Sequence, residues 1–417
     1  MGKTIAEKIL SRASGTENAR PDDYVVAEID LAMIHDAWGH VGPILMKAGV
    51  ERVWDTERIV TVFDHFNPPP TVKDAEAYKI GREAVEKYGI KYNYGQNAGV
   101  CHQVFVEKGH IRPGMLIVGT DSHTMTYGAL GAAGASLGFS EMAYVAANGK
   151  LWFKVPKTMK FTLNGRLAPR VTAKDVILYL AGKYSVNVAQ YMSVEYYGEI
   201  IRSMSLAGRM TLANMTAEIG AKFAFVDVDE TVYEYLKGRT DAPYEPVYAD
   251  EDAVYENEYT EDLTALVPQV AMPFAVDNVA PASTLGDVKI NQCVLGSCTN
   301  GRLEDLRAAA DILRGKKVSP KVNFLVIPAS TEVYRAAMHE GLIDVFLEAG
   351  AVVCHACCGP CNGGHLGLLA EGEVCLSSSS RNFKNRMGAP GSEVYLASPA
   401  TVAASGVTGR ITDPRDF

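Results

Sequence analysis

The sequence has no excess of positive charge and no segment that reads as a membrane anchor. Lysine and arginine number 40 against 49 aspartate and glutamate residues, a formal net charge of -9. This balance argues against a general nucleic-acid-binding protein, which normally presents a basic face. The uncharged stretch 124–140 is rich in glycine and alanine and is a poor membrane span. The N-terminal segment lacks the apolar core and cleavage site of a secretory signal, so a cytoplasmic location is expected.

Cysteine is sparse except in one short segment. The chain has eight cysteines in 417 residues, and four of them lie between Cys354 and Cys361. A chain of this length can bury a large core without disulfide bonds. Because no secretory signal is recognised, metal or redox chemistry is a better interpretation of these thiols than a disulfide framework.

Short apolar runs alternate with stretches of helical periodicity along the whole chain. The predicted strand at 59–63 precedes a predicted helix at 72–88, and similar strands at 115–119 and 322–327 each precede a helix start. Alternation of this kind predicts α/β layers with largely parallel sheets.

Two breaks in this pattern predict three α/β domains. The first break is the Lys-Val-Pro-Lys run at 154–157, and the second is the tyrosine- and acid-rich stretch 227–262, which reads as a solvated connection. The predicted domains are residues 1–156, 157–265 and 266–417, the last containing the clustered cysteines.

Four glycines between 128 and 138 resemble a phosphate-binding loop only superficially. They have neither the spacing of a dinucleotide-binding turn nor the Lys-Ser/Thr of a P-loop. We therefore interpret Gly128, Gly131, Gly134 and Gly138 as sites of close helix–helix packing.

Two cysteine motifs carry the strongest chemical signal. Cys358 and Cys361 enclose the run CGPC, a spacing that suits either one metal centre or a thiol redox pair. Upstream, Cys298 lies in GSCTNG (296–301), which reads as a strand entering a turn and then a helix, where N–H groups favour thiolate. Three thiolates from these two turns suit an iron–sulfur cluster with one iron left open. Zinc held by cysteine together with His355 or His365 stays open as an alternative.

These motifs resemble the signatures of the aconitase family. GSCTN (296–300) and CGPC (358–361) are similar to its two cluster-binding motifs, and GTDSHT (119–124) is similar to a third signature. Further similar runs occur in the family's order: FDH (63–65), HQ (102–103), NMTAEIGA (214–221) and RNFKNR (381–386). A single run is weak evidence, whereas the ordered set covers nearly the whole chain.

The resemblance implies dehydration and rehydration of a 2-hydroxy di- or tricarboxylate. It implies a [4Fe–4S] cluster held by Cys298, Cys358 and Cys361, with one iron that no cysteine binds and that acts as a Lewis acid. It also implies roles for other residues: catalytic groups at Asp64, His65, His102, Asp121, His123 and Glu218; substrate contacts at His35, Ser122, Arg381 and Arg386; and a position beside the cluster for Asn214.

The chain is most similar to the large subunits of the family's two-chain branch, which includes isopropylmalate dehydratases and homoaconitases. This implies a separate small subunit of the swivelling-domain type, which supplies a serine base. The expected reaction is the isomerisation of 3-isopropylmalate to 2-isopropylmalate in leucine biosynthesis; homoaconitate, citramalate and 2,3-dimethylmalate are alternative substrates. Two runs depart from the branch's usual pattern, IHDAWGH (34–40) and SSSS (377–380).

Overall fold

Strands and helices alternate through most of the computed structural model, which describes residues 2–417. The strands are β1 (Tyr24–Glu28), β2 (Leu31–Ile34), β3 (Ile59–Thr61), β4 (Tyr92–Asn93), β5 (Leu116–Gly119), β6 (Ala133–Ser136), β7 (Lys150–Lys154), β8 (Thr158–Asn164), β9 (Ser193–Tyr197), β10 (Phe223–Val226), β11 (Asn257–Asp262), β12 (Gln269–Ala271), β13 (Val279–Pro281), β14 (Gln292–Leu295), β15 (Asn323–Val326), β16 (Val352–Val353), β17 (Val374–Ser377) and β18 (Glu393–Ala397).

The α-helices vary from one turn to more than four turns. They are α1 (Ile5–Ser14), α2 (Trp38–Lys47), α3 (Val72–Lys87), α4 (Cys101–Glu107), α5 (Phe139–Asn148), α6 (Ala173–Tyr184), α7 (Glu199–Ser203), α8 (Leu206–Met215), α9 (Glu230–Leu236), α10 (Ser297–Asn300), α11 (Leu303–Leu313), α12 (Thr331–His339), α13 (Leu342–Ala349) and α14 (Pro399–Thr408). Short 3-10 helices cover Thr124–Leu130, Thr216–Ile219, Ala282–Thr284, Gly359–Asn362 and Pro414–Asp416. No helix within residues 2–417 combines the length and apolar composition needed to cross a membrane.

The strands form three larger sheets and one two-stranded ribbon. The first sheet has the parallel order β4-β3-β2-β5-β6, and β1 pairs with β7 in the antiparallel ribbon. The second sheet, β10-β9-β8-β11, is also parallel. The third, β13-β12-β18-β17-β14-β15-β16, is parallel from β18 to β16 and antiparallel at β12. Each sheet draws its strands from one of the three predicted segments, and the α/β class predicted from sequence is confirmed; the domain boundaries themselves stay a prediction.

The first sheet is buried on both faces, which explains its apolar sequence. Every residue of β2, β3 and β5 is buried. Helices cover parallel sheets on both sides, so their strands read as continuous hydrophobic runs rather than alternating ones. In the register, Ile34 pairs with Thr61 and Met33 pairs with Gly119. The loops that follow β2, β3 and β5 therefore leave the sheet at one common edge.

Most of the elements predicted from sequence are present, with local differences. Thr71 caps α3 by accepting from the Asp74 N–H, so this helix begins and ends close to the predicted 72–88. The run after β5 is the 3-10 helix Thr124–Leu130, which contains Gly128 and ends at Gly131 in the left-handed conformation. The stretch 227–262, predicted as a solvated connection, is largely exposed or half-buried, but it also contains α9 and the edge strand β11 beside β8.

The glycine series does mark close packing, but strands take part in it. A Cβ on Gly128 would lie 1.6 Å from the carbonyl oxygen of Ala224 in β10, and one on Gly134 would lie 2.2 Å from that of Thr124. Real side chains do not approach backbone so closely. The expected helix–helix contact is therefore replaced by a 3-10 helix packed against strands of two sheets.

Candidate active site

Polar side chains gather where the parallel strands of the first sheet end. His35 follows β2, the pair Asp64 and His65 follows β3, and Asp121 follows β5. In the strand order the chain runs outward on both sides of β2, and such a switch point opens a crevice beyond the carboxyl ends of the strands. The crevice is a cavity of about 370 Å³, counting space open to solvent. Its lining comprises His65, Val100, Cys101, His102, Asp121, Ser122, His123, Ser297, Cys298, Cys358, Cys361, Asn362 and Arg386.

Asp121 is the hub of a network of imidazoles. Its Oδ1 lies 2.6 Å from His102 Nε2 and accepts the His123 backbone N–H at 2.8 Å, while its Oδ2 lies 3.2 Å from His65 Nε2. The pKa of Asp121 would rise on burial, but His102, His123 and His65 hold it well below its usual value. The carboxylate is therefore ionised, it orients the rings of His102 and His65, and it lies 3.5 Å from His123 Nδ1.

His65 has a carboxylate at each ring nitrogen. Its Nδ1 lies 2.7 Å from Asp64 Oδ1, opposite the Asp121 contact at Nε2. Since a carboxylate only accepts, both nitrogens donate and the ring is an imidazolium. Burial alone would lower the pKa of His65, but Cys358, Asp64 and Asp121 raise it well above the usual value. The ring of His35 stacks on His65 with centroids 4.3 Å apart and planes at 25°.

A second chain of polar contacts links Glu218 to the same cavity. His123 Nε2 lies 2.9 Å from Glu218 Oε1, and Arg381 Nε donates to the same oxygen at 2.8 Å. Burial would raise the pKa of Glu218, but His123 and Arg381 lower it. Burial would likewise lower the pKa of His123, which Cys298, Asp121 and Glu218 raise to about 10. These contacts thus favour the charged forms of His123 and Glu218 beside Arg381.

Two arginines approach the cavity from the segment after β17. Arg381 Nη1 donates to Ser122 Oγ at 2.9 Å, in addition to its bond to Glu218. Arg386 Nε donates to the Cys361 carbonyl at 2.8 Å, and its two terminal nitrogens have no protein hydrogen-bond partner within residues 2–417. A guanidinium fixed at one end presents a planar pair of donors that matches a carboxylate.

The three predicted cluster cysteines line this one cavity, although they are distant in sequence. Cys298 lies in α10 directly after β14, while Cys358 and Cys361 flank the first turn of the 3-10 helix Gly359–Asn362. Asn214 Nδ2 donates to Cys298 Sγ at 3.3 Å, which a thiolate accepts well. None of the three cysteines forms a disulfide bond, and all three line one cavity. Such a set of thiols fits an iron–sulfur cluster.

The alternative ligands His355 and His365 do not border the cavity. His355 Nε2 contacts the Asn67 carbonyl, and His365 Nε2 contacts the Pro68 carbonyl at 2.9 Å. Cys357 Sγ lies 3.8 Å from His365 Nδ1, away from the thiols named above. Zinc bound through either histidine therefore finds no support in the arrangement of residues 2–417.

Comparison with known proteins agrees with this geometry. The family model described as "Aconitase family (aconitate hydratase)" matches residues 7–286 and 276–409. The chain belongs to the aconitase family. It is similar in fold to a crystal structure of Thermococcus kodakaraensis aconitase X in its holo form, with a TM-score of 0.51 and 13% identity over 85% of this chain and 84% of that one.

Several full-length relatives of this aconitase-family chain are named as large subunits. It is 53% identical to "3-isopropylmalate dehydratase large subunit 1" of Methanopyrus kandleri over 100% of both chains. It is 47% identical to "3-isopropylmalate dehydratase large subunit" of Aquifex aeolicus, covering 99% of this chain and 97% of the relative. It is also 45% identical to "Probable methanogen homoaconitase large subunit" of Methanothermobacter thermautotrophicus, again covering 99% and 97%.

The structure brings all the predicted site residues of this aconitase-family chain into one connected region. Those outside the cavity lining touch it through a named contact: His35 and Asp64 through His65, Asn214 through Cys298, and Glu218 with Arg381 through His123 and Ser122. Their chemical roles stay predictions. Cys101, which is fully buried, also borders the cavity. Its backbone N–H donates to Asp64 Oδ2 at 2.7 Å.

Two buried cations beside the cavity were not singled out from the sequence. Arg302 is 4% exposed and donates to the carbonyls of Cys298 and Thr299 at 2.7 and 2.6 Å, and to Gln103 Oε1 at 3.1 Å. Lys174 is fully buried and donates to the carbonyls of Ser378, at 3.0 Å, and Ser379. Burial lowers the pKa of Lys174 to about 7, against the opposing effect of Cys361. The only sequence signal was the position of Arg302 four residues after Cys298.

Arg302 fixes the turn that carries Cys298, which gives a first prediction. Arg302→Lys removes the fork that bonds two carbonyls and Gln103 together, so we expect loss of about 2 kcal/mol of stability, as for hydrogen bonds of a buried charge. We also expect fewer iron atoms per chain. Chemical denaturation and iron analysis provide the measurements.

The matched control for Arg302 is Arg307 on the following helix. Arg307 makes a bidentate ion pair with Glu340, but its side chain is 54% exposed. Arg307→Lys should change stability and iron content little, because exposed ion pairs contribute little. Equal effects of the two substitutions would contradict the role given to Arg302.

Proposed function

We propose that this chain is the large subunit of a 3-isopropylmalate dehydratase, a hydro-lyase that converts 3-isopropylmalate to 2-isopropylmalate in leucine biosynthesis. The observation that carries the proposal is a single cavity in which three thiols meet an imidazolium held between two carboxylates. Full-length similarity to relatives that bear this name supports the choice of substrate.

Cys298, Cys358 and Cys361 hold a [4Fe–4S] cluster in this proposal. When bound, the cluster supplies one iron without a cysteine ligand, a Lewis acid that accepts the substrate hydroxyl and orients it. Burial raises the pKa of the Cys358 thiol, while neighbouring His65 lowers it. A positive site at the sulfur favours the thiolate, so cluster binding displaces protons from the three cysteines.

His65 is placed to give a proton to the departing hydroxide. A hydroxide leaves carbon readily only when it is protonated or otherwise neutralised, and a positioned imidazolium supplies such a proton. Asp64 fixes the ring at Nδ1, while Nε2 faces Asp121, which also lines the cavity. In this proposal His102 and His123 assist the protonation of the leaving hydroxide through Asp121, which both contact. Glu218 orients His123.

Arg386, Arg381 and Ser122 bind the substrate carboxylates in this proposal. The free terminal nitrogens of Arg386 form one clamp at the cavity lining. Arg381 and Ser122 are already bonded to each other, so they present donors in a fixed relation. His35, stacked on His65, lies at the side of the cavity where it contacts the rest of the substrate. Fixed donors bind a carboxylate with little further loss of freedom.

Removal of the proton on carbon is assigned to a partner chain. The carboxylates of the site are engaged by histidine or arginine, and none is left as a free base for carbon. We propose that a separate small subunit of the swivelling-domain type supplies a serine base. The names of the full-length relatives support a two-subunit enzyme, since each is a large subunit.

A homoaconitase is the second candidate, favoured by the 45% identical relative of that name. The substrates differ in whether an apolar branch or an additional carboxylate chain occupies the pocket. Citramalate and 2,3-dimethylmalate share the apolar character with a smaller branch. We expect the complete two-subunit enzyme to hydrate the isopropyl-substituted substrate with the highest kcat/KM. A higher kcat/KM for homoaconitate, measured on the same preparation, would transfer the assignment to the second candidate.

The cluster assignment is tested by iron, acid-labile sulfide and the visible spectrum of anaerobically purified protein. We expect about three to four of each per chain in the wild type, with broad absorbance that bleaches in air. Cys358→Ser should abolish both the absorbance and turnover. Cys101→Ala is the matched control, since Cys101 borders the same cavity and is not assigned as a ligand; its cluster content should equal that of the wild type. Zinc in place of iron, or cluster loss only in Cys101→Ala, would refute the ligand set.

Arg381→Lys should keep the cluster and lose turnover. Lysine keeps the charge but cannot bond Glu218 and Ser122 while presenting a planar fork. Loss of one to two charged hydrogen bonds corresponds to a fall of about 10- to 100-fold in kcat/KM. Steady-state kinetics with iron analysis on the same sample provide the measurement. Wild-type kinetics in Arg381→Lys would show that Arg381 does not bind substrate.

A further inference from the structure

We propose that Asp36 is a positioning residue that holds the backbone of the Asp64–His65 loop and thereby sets the position of the proton donor. The proposal rests on the function proposed above, because it concerns the placement of the group that protonates the leaving hydroxide. Neither the cysteine motifs nor the similarity to relatives assigns a role to Asp36.

The side chain of Asp36 accepts hydrogen bonds from three consecutive backbone N–H groups. Its Oδ1 accepts from Asp64 at 2.7 Å, and its Oδ2 accepts from His65 at 2.9 Å and Phe66 at 3.1 Å. Oδ2 also accepts the Tyr78 hydroxyl at 2.8 Å. One carboxylate thus fixes three successive peptide units of the loop, which no element of regular secondary structure holds.

Asp36 is anchored by a central strand and a helix of the first sheet layer. It follows β2, which lies in the middle of the first sheet, while Tyr78 lies in α3 and is 2% exposed. The Tyr78 ring packs on Phe63, with centroids 5.1 Å apart. The hydroxyl of Tyr78 also accepts the Phe66 N–H at 3.1 Å. The loop is therefore tied to a central strand and to a helix at once.

These bonds explain a cluster of groups that otherwise resembles a metal site. The ligand atoms of His35, Asp36, Asp64 and His65 lie within 4.8 Å of one another. A carboxylate offers about four lone-pair sites, and four donors engage the Asp36 carboxylate, one at Oδ1 and three at Oδ2. Asp64 is similarly engaged by His65 and by the Cys101 N–H. A cation there would have to break these bonds, so the arrangement holds a loop rather than a metal.

The position of the loop matters for two contacts of the site. His65 Nε2 reaches Asp121 only because the backbone carries the ring to 3.2 Å from that carboxylate. The carbonyl of Asp64 accepts the Cys358 N–H at 3.2 Å. His35 stacks on one face of the His65 ring, and Asp36 accepts the His65 backbone N–H. Two consecutive residues therefore contact both the ring and the backbone of His65. A displacement of about 1 Å at such a group is enough to reduce turnover strongly.

The test is Asp36→Asn in the complete, cluster-loaded enzyme. An amide keeps one acceptor oxygen but turns a donor NH₂ group toward at least one backbone N–H, so one or two of the three peptide contacts are lost with almost no change of volume. We expect hydrogen exchange of the amides at 64–66, followed by mass spectrometry, to accelerate at least about tenfold. We expect kcat to fall about 10- to 100-fold with KM within about twofold of wild type. Iron and sulfide per chain should not change.

Asp30→Asn is the matched control, because Asp30 directly precedes β2 whereas Asp36 follows it. Its Oδ2 accepts the Leu116 N–H at 2.7 Å and Arg12 at 2.9 Å, and it lies outside the cavity lining. Asp30→Asn should leave kcat and exchange at 64–66 unchanged. Tyr78→Phe removes one of the four donors to Asp36, so a smaller effect in the same direction is expected, about twofold to fivefold in kcat.

Unchanged exchange at 64–66 in Asp36→Asn would overturn the proposal, and so would faster exchange with an unchanged kcat. If Asp36→Asn does not fold or loses its cluster, Tyr78→Phe decides: wild-type exchange and kcat in that variant would also overturn it. Absence of turnover in the wild type with every hydroxy acid would instead refute the proposed function. The exchange measurement would still report whether Asp36 holds the loop.

Discussion

The ionised carboxylate of Asp121 is the interaction on which the candidate site depends. A buried carboxylate is costly unless it is hydrogen-bonded and paired. Here it is paired with imidazoles from two different loops and one helix, so its stability and their orientation are mutually dependent. The parallel register of β2, β3 and β5 makes this possible, because it delivers these loops to one edge. The sheet therefore determines the geometry, and the carboxylate fixes its details.

Charge compensation explains why an acidic chain concentrates cations in its interior. Thiolates and carboxylates meet at the cavity, and each must be offset in a region of low dielectric. His65, His123, Arg381 and Arg386 supply positive charge at the cavity itself. Arg302 supplies it from behind, and Lys174 does so when protonated, since burial lowers its pKa to about 7; both side chains bond backbone carbonyls.

The local patterns of the sequence accounted for the elements and for the residues that touch the cavity. Hydrophobic runs with flanking helical periodicity located β3, α3 and β15, because burial on both faces makes such strands uniformly apolar. The resemblance to a family then located Cys298, Asp121 and Arg381. These residues lie in short runs whose chemistry is visible in the sequence itself.

Residues whose function depends on tertiary contacts could not be identified in this way. Asp36, Tyr78 and Lys174 are ordinary residues in sequence. Asp36 lies 28 positions from Asp64 and 42 from Tyr78, and Lys174 lies 204 positions from Ser378. No local pattern encodes such a pairing. The same holds for β11, whose acidic sequence forms a strand only because β8 offers it an edge.

The residues that support the site share one physical device. Asp36, Lys174 and Arg302 are charged side chains that bond backbone groups of segments carrying a functional residue: His65, Arg381 and Cys298 respectively. A backbone contact of this kind determines where a peptide unit lies and leaves the functional side chain free for substrate or cluster. It also requires that the charge stay buried, since an exposed charge would exchange these partners for water. Donors fixed in this way contribute most to a transition state, because they need little rearrangement when charge develops.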